Sequence, residues 1–393
     1  MKDIVIIANF VGGLHGTDNN RFPYLANMLC KDNDVELVAS DFCHGEKTRR
    51  ANIYNFPFKV TLLNEPGYKK NICLRRFWSH YVWGKNVIKY LKSRKKPDVV
   101  YCAVPSLTAP AKVSEYCRKN DIRFIVDVQD LWPEAFQMVF KVPVLSKLIF
   151  APFKRLADQA YGNADEVVAV SQTYVDRALS VNKKGAKGIS VFLGTNLEIF
   201  DENVKNNFIP KFAGTEIRIA YCGTLGSSYD LTCVFDALAI LKKTGLTNIK
   251  FIVMGEGPLR KKFESYSEQL GLNVEFLGRL PYPQMCGYLC SCDIAMNPIM
   301  CGAAQSIINK HADYAAAGIP VISTQESQEY KGLVDSYAMG INCKNGDAEA
   351  LARAIENLSL LSELRIKMGA NARRCAEEKF NRRNSYQGIL ELI

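Results

Sequence analysis

Two turns in the second half of this chain combine residues suited to gripping a phosphate. Gly223-Thr224-Leu225-Gly226-Ser227-Ser228 follows the apolar run Ile217–Cys222, and Gly255-Glu256-Gly257-Pro258 follows Ile249–Met254. Glycines directly after a strand let backbone N–H groups approach an anion, and the helix that follows adds the positive end of its dipole. Arg260, Lys261 and Lys262 stand in the first turn after the second loop, where cations oppose the helix dipole unless an anion lies close. Further on, Gln305, Ser306, Lys310 and Asp313 stand just before and within a helical pattern that ends at Gly318. A lysine there suits a diphosphate and an aspartate suits a ribose diol. A solvated helix face is the plain alternative for this segment. A GxG turn after a strand is also common packing chemistry, so the phosphate reading rests on the turns jointly.

The first half carries two further candidates. Val11-Gly12-Gly13-Leu14-His15-Gly16 follows the first strand-like run, and its glycines allow close approach to a substrate, with His15 placed to touch it. The spacing is not the GxGxxG of dinucleotide sites, and a tight turn is the alternative. Asp130 and Glu134 lie in Asp127-Val128-Gln129-Asp130-Leu131-Trp132-Pro133-Glu134, which closes a strand and opens a helix at Pro133. Asp130 stands where a helix N-cap would be, so a capping role competes with a substrate role. The Asp127–Asp130 spacing is not Asp-X-Asp, which favours metal-free chemistry.

Elements must place these residues at one edge. Strand-like runs fit Ile4–Ala8, Val35–Ala39, Val99–Ala103, Phe124–Val128 and Val167–Val170 in the first half. In the second they fit Ile217–Cys222, Ile249–Met254, Val274–Leu277, Ile294–Asn297 and Pro320–Ser323. Helical patterns alternate with them, among them Arg21–Leu29, Leu74–Leu91 and Pro110–Lys119. Continuous apolar strands separated by helices predict an α/β fold with parallel sheets covered on both faces. The alternation restarts once, so two Rossmann-like doubly wound domains are predicted, facing across a cleft. The expected division is 1–200, 201–375 and a C-terminal helix, 376–393, packing back toward the first domain; the polar segment 201–215 is the expected hinge. Ligands of such sheets bind at the carboxyl ends of the strands.

Bulk properties agree. At 393 residues, with 48% hydrophobic residues, the chain is long enough for two cores. The opening MKDIVIIANF is too short an apolar run for a leader or span, and no later run reaches roughly 18 apolar residues. The thirteen cysteines are scattered among apolar segments, and Cys286, Cys290 and Cys292 lack the paired spacing of a zinc site, so free thiols and no metal are expected. The net charge of +10 is uneven: His44 to Lys96 holds fourteen Lys and Arg against Glu46 and Glu65 alone. Such a patch asks for an anionic partner.

The chain resembles the GT-B-fold glycosyltransferases of family 4 that build bacterial surface polysaccharides. The likeness runs through the Gly-rich first loop, DLWPE, LGTNLEIF, MGEGPLRKKFE, FLGRLPY, DYAAAGIPVI and the terminal helix. It implies a retaining, metal-independent enzyme with no cofactor. The donor is a nucleotide-sugar (a UDP-sugar by family frequency) bound by the second domain; a polyprenyl-diphosphate-linked or saccharide acceptor is bound by the first.

It further implies that Gly223, Thr224 and Gly226 form the diphosphate loop, with Gly255, Glu256, Arg260, Ser306 and Lys310 on the donor side. Arg279 falls in the loop that frames the nucleobase, and Asp313 where the family's ribose-binding Glu sits. Gly12, Gly13 and Arg21 fall on the acceptor side, and Asp130, Glu134 and His15 near the chemistry. Two departures stand out: Gln305 replaces a Glu, and the Arg and Lys that usually follow the first turn of the second domain are absent. Lys310 is the residue that could supply the missing charge.

Arg75, Arg76, Trp83, Lys89 and Lys92, with His80, are expected to seat a cytoplasmic protein peripherally on the anionic inner face of the membrane. Leu74, Phe77, Trp78 and Tyr81 are expected to face the core. A nucleotide-sugar 2-epimerase or a phosphorylase is the rival enzyme reading. A basic nucleic-acid-binding protein is the rival of another class, and is disfavoured because no nucleic-acid motif accompanies the charge. A Rossmann oxidoreductase lacks its fingerprint.

Overall fold

The computed structural model describes residues 1–12, 14, 20–50, 55–71, 73–137, 143–211, 214–302 and 307–393. Two compact units divide the chain: Met1–Phe192 with Tyr386–Ile393, and Leu193–Ser385.

In the first unit, the strands are β1 (Asp3–Ala8), β2 (Asp34–Ser40), β3 (Phe42–Cys43), β4 (Thr48–Arg49), β5 (Lys59–Leu63), β6 (Val99–Val104), β7 (Arg123–Val128), β8 (Glu166–Ala169) and β9 (Lys187–Ser190). Seven of them form one sheet in the order β5-β2-β1-β6-β7-β8-β9, and β3 pairs with β4 in an antiparallel hairpin. Every neighbour pair in the large sheet is parallel; Ile4, for example, registers with Val35 on one side and Val99 on the other. Ile4 to Ala8 are all fully buried, which requires cover on both faces of the sheet and explains their unbroken apolar run. Tyr386 and Ile389, from the end of the chain, belong to this core.

The second unit contains β10 (Ile217–Cys222), β11 (Ile249–Met254), β12 (Val274–Gly278), β13 (Ile294–Asn297), β14 (Val321–Ser323) and β15 (Gly340–Asn342). Their order is β12-β11-β10-β13-β14-β15, all parallel. Helix starts are set locally. Asp230 accepts from Cys233 N at 3.1 Å to open Leu231–Lys243, and Asp347 accepts from Ala350 N at 2.8 Å to open Ala348–Leu360. The C-terminal stretch expected as one helix is several. Ser362–Cys375 passes into a π-turn at Ala376–Phe380, and short helices follow at Arg382–Ser385 and Gln387–Leu392. The break at Asn381 is tied to Thr195 by a β-bridge within the second unit.

Strand order reverses between β1 and β6 in the first sheet and between β10 and β13 in the second. At each reversal the following connections leave to opposite sides, opening a crevice at the carboxyl edge. The sequence-predicted site segments follow strands at these edges. All thirteen cysteines are free thiols, and no helix among the described residues is long and apolar enough to cross a membrane.

Candidate functional site

In the second unit, the loop after β10 and the turn after β11 are zipped together by backbone. Gly223 N donates to Met254 O, Leu225 N to Glu256 O and Leu259 N to Leu225 O, all at 2.9–3.0 Å. A Cβ at Gly255 would stand 1.8 Å from Gly223 O, and one at Gly257 would stand 2.3 Å from Leu225 O. The glycines of the second turn therefore let two turns touch, and that contact holds the first turn in shape. Thr224, Gly226 and Ser227, by contrast, make no backbone N–H hydrogen bond among the described residues. Three donors are left available at the carboxyl end of β10, as an anion site needs.

Lys310 lies on the helix Asn309–Ala316 and is 7% exposed. Its ammonium sits 4.0 Å from the ring centre of Tyr229 and 5.2 Å from that of Tyr221, and it has no hydrogen-bond partner among the described residues. Tyr221 in turn donates to Thr224 O at 2.8 Å, which ties the caged cation to the loop with free donors. Burial pushes the lysine down to about 7 from 10.5. Tyr221 and Tyr229 escaped the sequence reading, although an aromatic at a strand end and another just before an N-cap were visible signals.

Asp313 is buried three residues on. Its Oδ1 accepts from Tyr282 OH at 2.9 Å, and Tyr282 OH also meets Thr195 Oγ1 at 3.1 Å. Burial raises the carboxyl to about 6, with Tyr282 and the charge of Arg382 opposing. Arg260 is not a lone cation. It pairs with Glu256 and with Glu264 Oε1 (2.7 Å), and donates to Phe276 O at 3.3 Å, so these carboxylates supply the anion its helix position demanded. Lys261 and Lys262 are exposed, as is Arg279, which follows Gly278 at the end of β12. Gln305 and Ser306 lie outside the described residues, as do Gly13 and His15 in the first unit.

Three first-unit expectations need correction. Arg21, expected at the acceptor, is 4% exposed and held in the core. It is bidentate on Asp127 (2.8 and 3.2 Å) and donates to Val191 O, Phe192 O and Tyr386 OH, while Tyr101 OH completes Asp127 at 2.8 Å. Burying a guanidinium requires such a set of acceptors. Arg76 and Trp83, expected at a membrane surface, are 7% and 1% exposed. Leu74, Trp78 and Tyr81, expected in the core, are instead 87%, 50% and 47% exposed.

The helix Leu74–Ser93 is thus turned the other way round. Its buried stripe is Arg76, Ser79, His80, Trp83, Val87 and Leu91. Both stripes have helical spacing, and polar residues on the inner one concealed it. The outer stripe continues into Lys85, Lys89 and Lys92, which with Lys112 and Lys119 border a surface groove of about 500 Å³. Arg75 is exposed too, its guanidinium 5.3 Å from the Trp78 ring.

Gly12 is exposed after β1, and a Cβ there would stand 2.7 Å from Asn20 Oδ1. Asp130 follows β7 and does not cap a helix through its side chain. Its Oδ2 accepts from the Trp132 indole at 3.0 Å, and burial raises its pKa. Glu134 accepts from Arg177 Nε at 2.6 Å, in a cluster that also joins Arg177 to Asp158.

Comparison with known proteins agrees with this geometry. Residues 203–375 match the family model described as glycosyl transferases group 1. A probable glycosyltransferase of Pseudomonas aeruginosa, WbjE, is 24% identical over 247 residues; the match spans 60% of this chain and 60% of that relative. Among solved structures, Anabaena HepE in complex with UDP superposes with a TM-score of 0.70 at 14% identity, covering 100% of this chain and 99% of HepE. HepE has also been solved with UDP and glucose. WaaG, described as a glycosyltransferase involved in lipopolysaccharide biosynthesis, gives 0.66 at 15% identity over 98% of both chains. The chain therefore has the GT-B fold of these solved structures, and residues 203–375, within its second unit, are similar to the group 1 glycosyl transferases.

Proposed function

We propose that the protein moves a sugar from a UDP-sugar, bound by the second unit, to a hydroxyl of a lipid-linked or saccharide acceptor bound by the first, in the assembly of a surface polysaccharide. Transfer retains the anomeric configuration and needs no metal or other cofactor. One observation carries this reading: among the described residues the N–H groups of Thr224, Gly226 and Ser227 and the ammonium of Lys310 all lack hydrogen-bond partners, and Tyr221, which donates to Thr224 O, also faces that ammonium. The usual cation pair of this family is missing from the loop, and Lys310 takes its place. The complexes of HepE with UDP and with UDP and glucose support uracil as the base, and the role described for WaaG supports a surface saccharide as product.

In the reaction, the bond from the sugar C1 to the diphosphate oxygen breaks and a bond from C1 to the acceptor oxygen forms on the same face. The acceptor proton passes to the departing diphosphate oxygen, so no protein nucleophile is required. Negative charge builds on that diphosphate, and donors already in place around it stabilise it without reorganisation. Asp130 orients the acceptor hydroxyl. Arg279 frames the base, and Asp313, through its Tyr282 contact, shapes the ribose subsite.

The first unit rests on an anionic membrane surface. The stripe that supports this is Leu74, Trp78 and Tyr81 running into Lys85, Lys89 and Lys92: exposed apolar rings followed by cations, the order an interfacial helix uses. Titration of the protein with UDP-, GDP-, ADP- and dTDP-sugars in a calorimeter tests the donor reading, with UDP expected to bind tightest. NMR of the product should show the donor's anomeric configuration. Absence of heat with every nucleotide-sugar defeats the reading, and conversion of the UDP-sugar to its 2-epimer without acceptor replaces it.

A further inference from the structure

The first unit contains a second buried arginine whose surroundings differ sharply from those of Arg21. Arg76 is 7% exposed, and its guanidinium is enclosed by rings, 4.4 Å from the centre of Trp132 and 5.6 Å from those of Phe10 and Tyr68. One Nη donates to Asn71 O at 2.9 Å, while Nε has no hydrogen-bond partner among the described residues. No carboxylate among them lies within ion-pair distance of it. Glu65 is engaged by Asn9 (2.9 Å) and Ser79 (2.8 Å), and Asp130 by the Trp132 indole.

The neighbourhood gathers cations around two carboxylates, Glu65, whose Oε1 lies 4.0 Å from His80 Nε2, and Asp130, neither of them in direct contact with the guanidinium. Lys47 stands 4.9 Å from the Tyr68 ring and bonds to His44 O. His44 and His80 are held neutral, each pushed to about 3 by burial and by nearby cations, Arg76 among them. His80 Nε2 is a further buried atom without a hydrogen bond among the described residues. A structural arginine at this depth would be paired as Arg21 is, because an uncompensated buried guanidinium is strongly unfavourable. Besides Asn71 O, Tyr68 also hydrogen-bonds the guanidinium, and what stays unpartnered among the described residues is the in-plane Nε–H, an edge of the kind that meets phosphate oxygens. The cluster sits at the carboxyl edge of the first sheet: Phe10 follows β1, Asp130 follows β7, and His44 and Lys47 lie in the β3–β4 hairpin.

We propose that Arg76, with Lys47, forms a phosphate subsite in the first unit, and that the acceptor arrives carrying a phosphate or diphosphate ester. This rests on the reading that the first unit holds the acceptor, and it adds the chemistry by which that acceptor is recognised. Trp132 links the subsite to Asp130, the residue proposed to orient the acceptor hydroxyl.

The test is calorimetric, on the full chain with UDP at saturation so that the donor diphosphate site is filled. Geranyl diphosphate, glucose 6-phosphate, pyrophosphate and geraniol are titrated in turn. Binding of the phosphorylated probes but not of geraniol is expected; a preference for geranyl diphosphate marks a lipid source, and one for glucose 6-phosphate a sugar phosphate. Arg76→Met should weaken the preferred probe at least tenfold, and Arg76→Lys should not restore it fully. Lys47→Met, at a half-exposed position, should give a smaller loss and serves if Arg76→Met fails to fold, as judged by its melting curve. Equal affinity for geraniol, no binding of any phosphorylated probe, or unchanged affinity in a folded Arg76→Met (or, if that variant does not fold, in Lys47→Met) overturns the proposal. UDP binding in the same samples separates that failure from failure of the donor reading.

Discussion

Replacing Lys310 by Met should weaken donor binding while strengthening the fold, a combination a structural lysine would not give. The native ammonium is buried against Tyr221 and Tyr229 without a hydrogen bond among the described residues, and burial lowers it from 10.5 to about 7. That gap corresponds to about 5 kcal/mol of lost preference for the charged form. Between pH 7 and 10.5 the unfolded chain holds a proton that the folded chain lacks. Stability therefore rises with pH across that window, and the full penalty applies below it. Methionine keeps the length of the side chain and removes the penalty, so the melting midpoint should rise, by the equivalent of ~1–4 kcal/mol. The other titratable groups around Lys310 are Tyr221, Cys222, Tyr314 and His311, all held neutral near pH 7 by burial, together with Asp313 and the ring of Tyr229.

A bound diphosphate supplies the missing anion and restores the charged lysine. At pH 8 about nine-tenths of the free lysine is neutral, so binding a UDP-sugar should draw in about 0.9 proton per site, and almost none at pH 6. Calorimetry in two buffers of different ionisation enthalpy reads this directly. A UDP-sugar is preferable to UDP because its diphosphate does not titrate in this range. Native affinity should be flat below pH 7 and fall up to tenfold per unit above it. In Lys310→Met the proton uptake should vanish and Kd at pH 6.5 should rise about 10- to 100-fold, the worth of one charged hydrogen bond. A Kd within twofold of native, with no buffer dependence in the native protein, would refute the reasoning.

Five further variants test the same geometry. Asp130→Asn should lower kcat on the order of 100-fold with donor Kd unchanged, measured by turnover and calorimetry; equal loss in both removes its acceptor role. Asp127→Ala strands the Arg21 guanidinium and should cost about 3–5 kcal/mol in urea unfolding. A loss under 1 kcal/mol with a selective rise in acceptor KM would return Arg21 to the acceptor site. Gly257→Ala pushes a Cβ against Leu225 O and should weaken UDP at least tenfold with the far-UV spectrum unchanged. Gly332→Ala, in the helix Gln328–Tyr337 with open space around it, should instead stabilise by about 0.5–1 kcal/mol. Changing Lys85, Lys89 and Lys92 together to Gln should weaken binding to phosphatidylglycerol vesicles on the order of 100-fold at low salt, near 1 kcal/mol per charge. Flotation that is indifferent to both the substitution and salt would count against a membrane face there.

Much of this protein is legible in its residues alone. Runs such as Ile4–Ala8 and Ile217–Cys222 read as buried parallel strands because only a strand covered on both faces tolerates an unbroken apolar run, and both form central strands here. The glycine turns after β10 and β11 likewise announced themselves, since few residues other than glycine permit such close backbone approach. The half-exposed strands β5 and β9 and the three-residue β15 carry weak patterns, and they emerge only from pairing with neighbours already in place.

Tertiary structure alone decided what each charge does. Arg21 and Arg76 are both arginines on helices of one unit, yet one is saturated by Asp127 and the other is walled in by rings with a donor left over. No spacing rule separates them, because partners such as Asp127 and Trp132 come from strands and loops distant in sequence. The outward face of Leu74–Ser93 was settled in the same way. Two stripes of equal period competed, and the rings of Phe10, Tyr68 and Trp132 packed around Arg76 while Trp78 was left to solvent. Composition and period determine which elements form; which side of an element is buried depends on the surface it meets, and that surface exists only once the chain has folded.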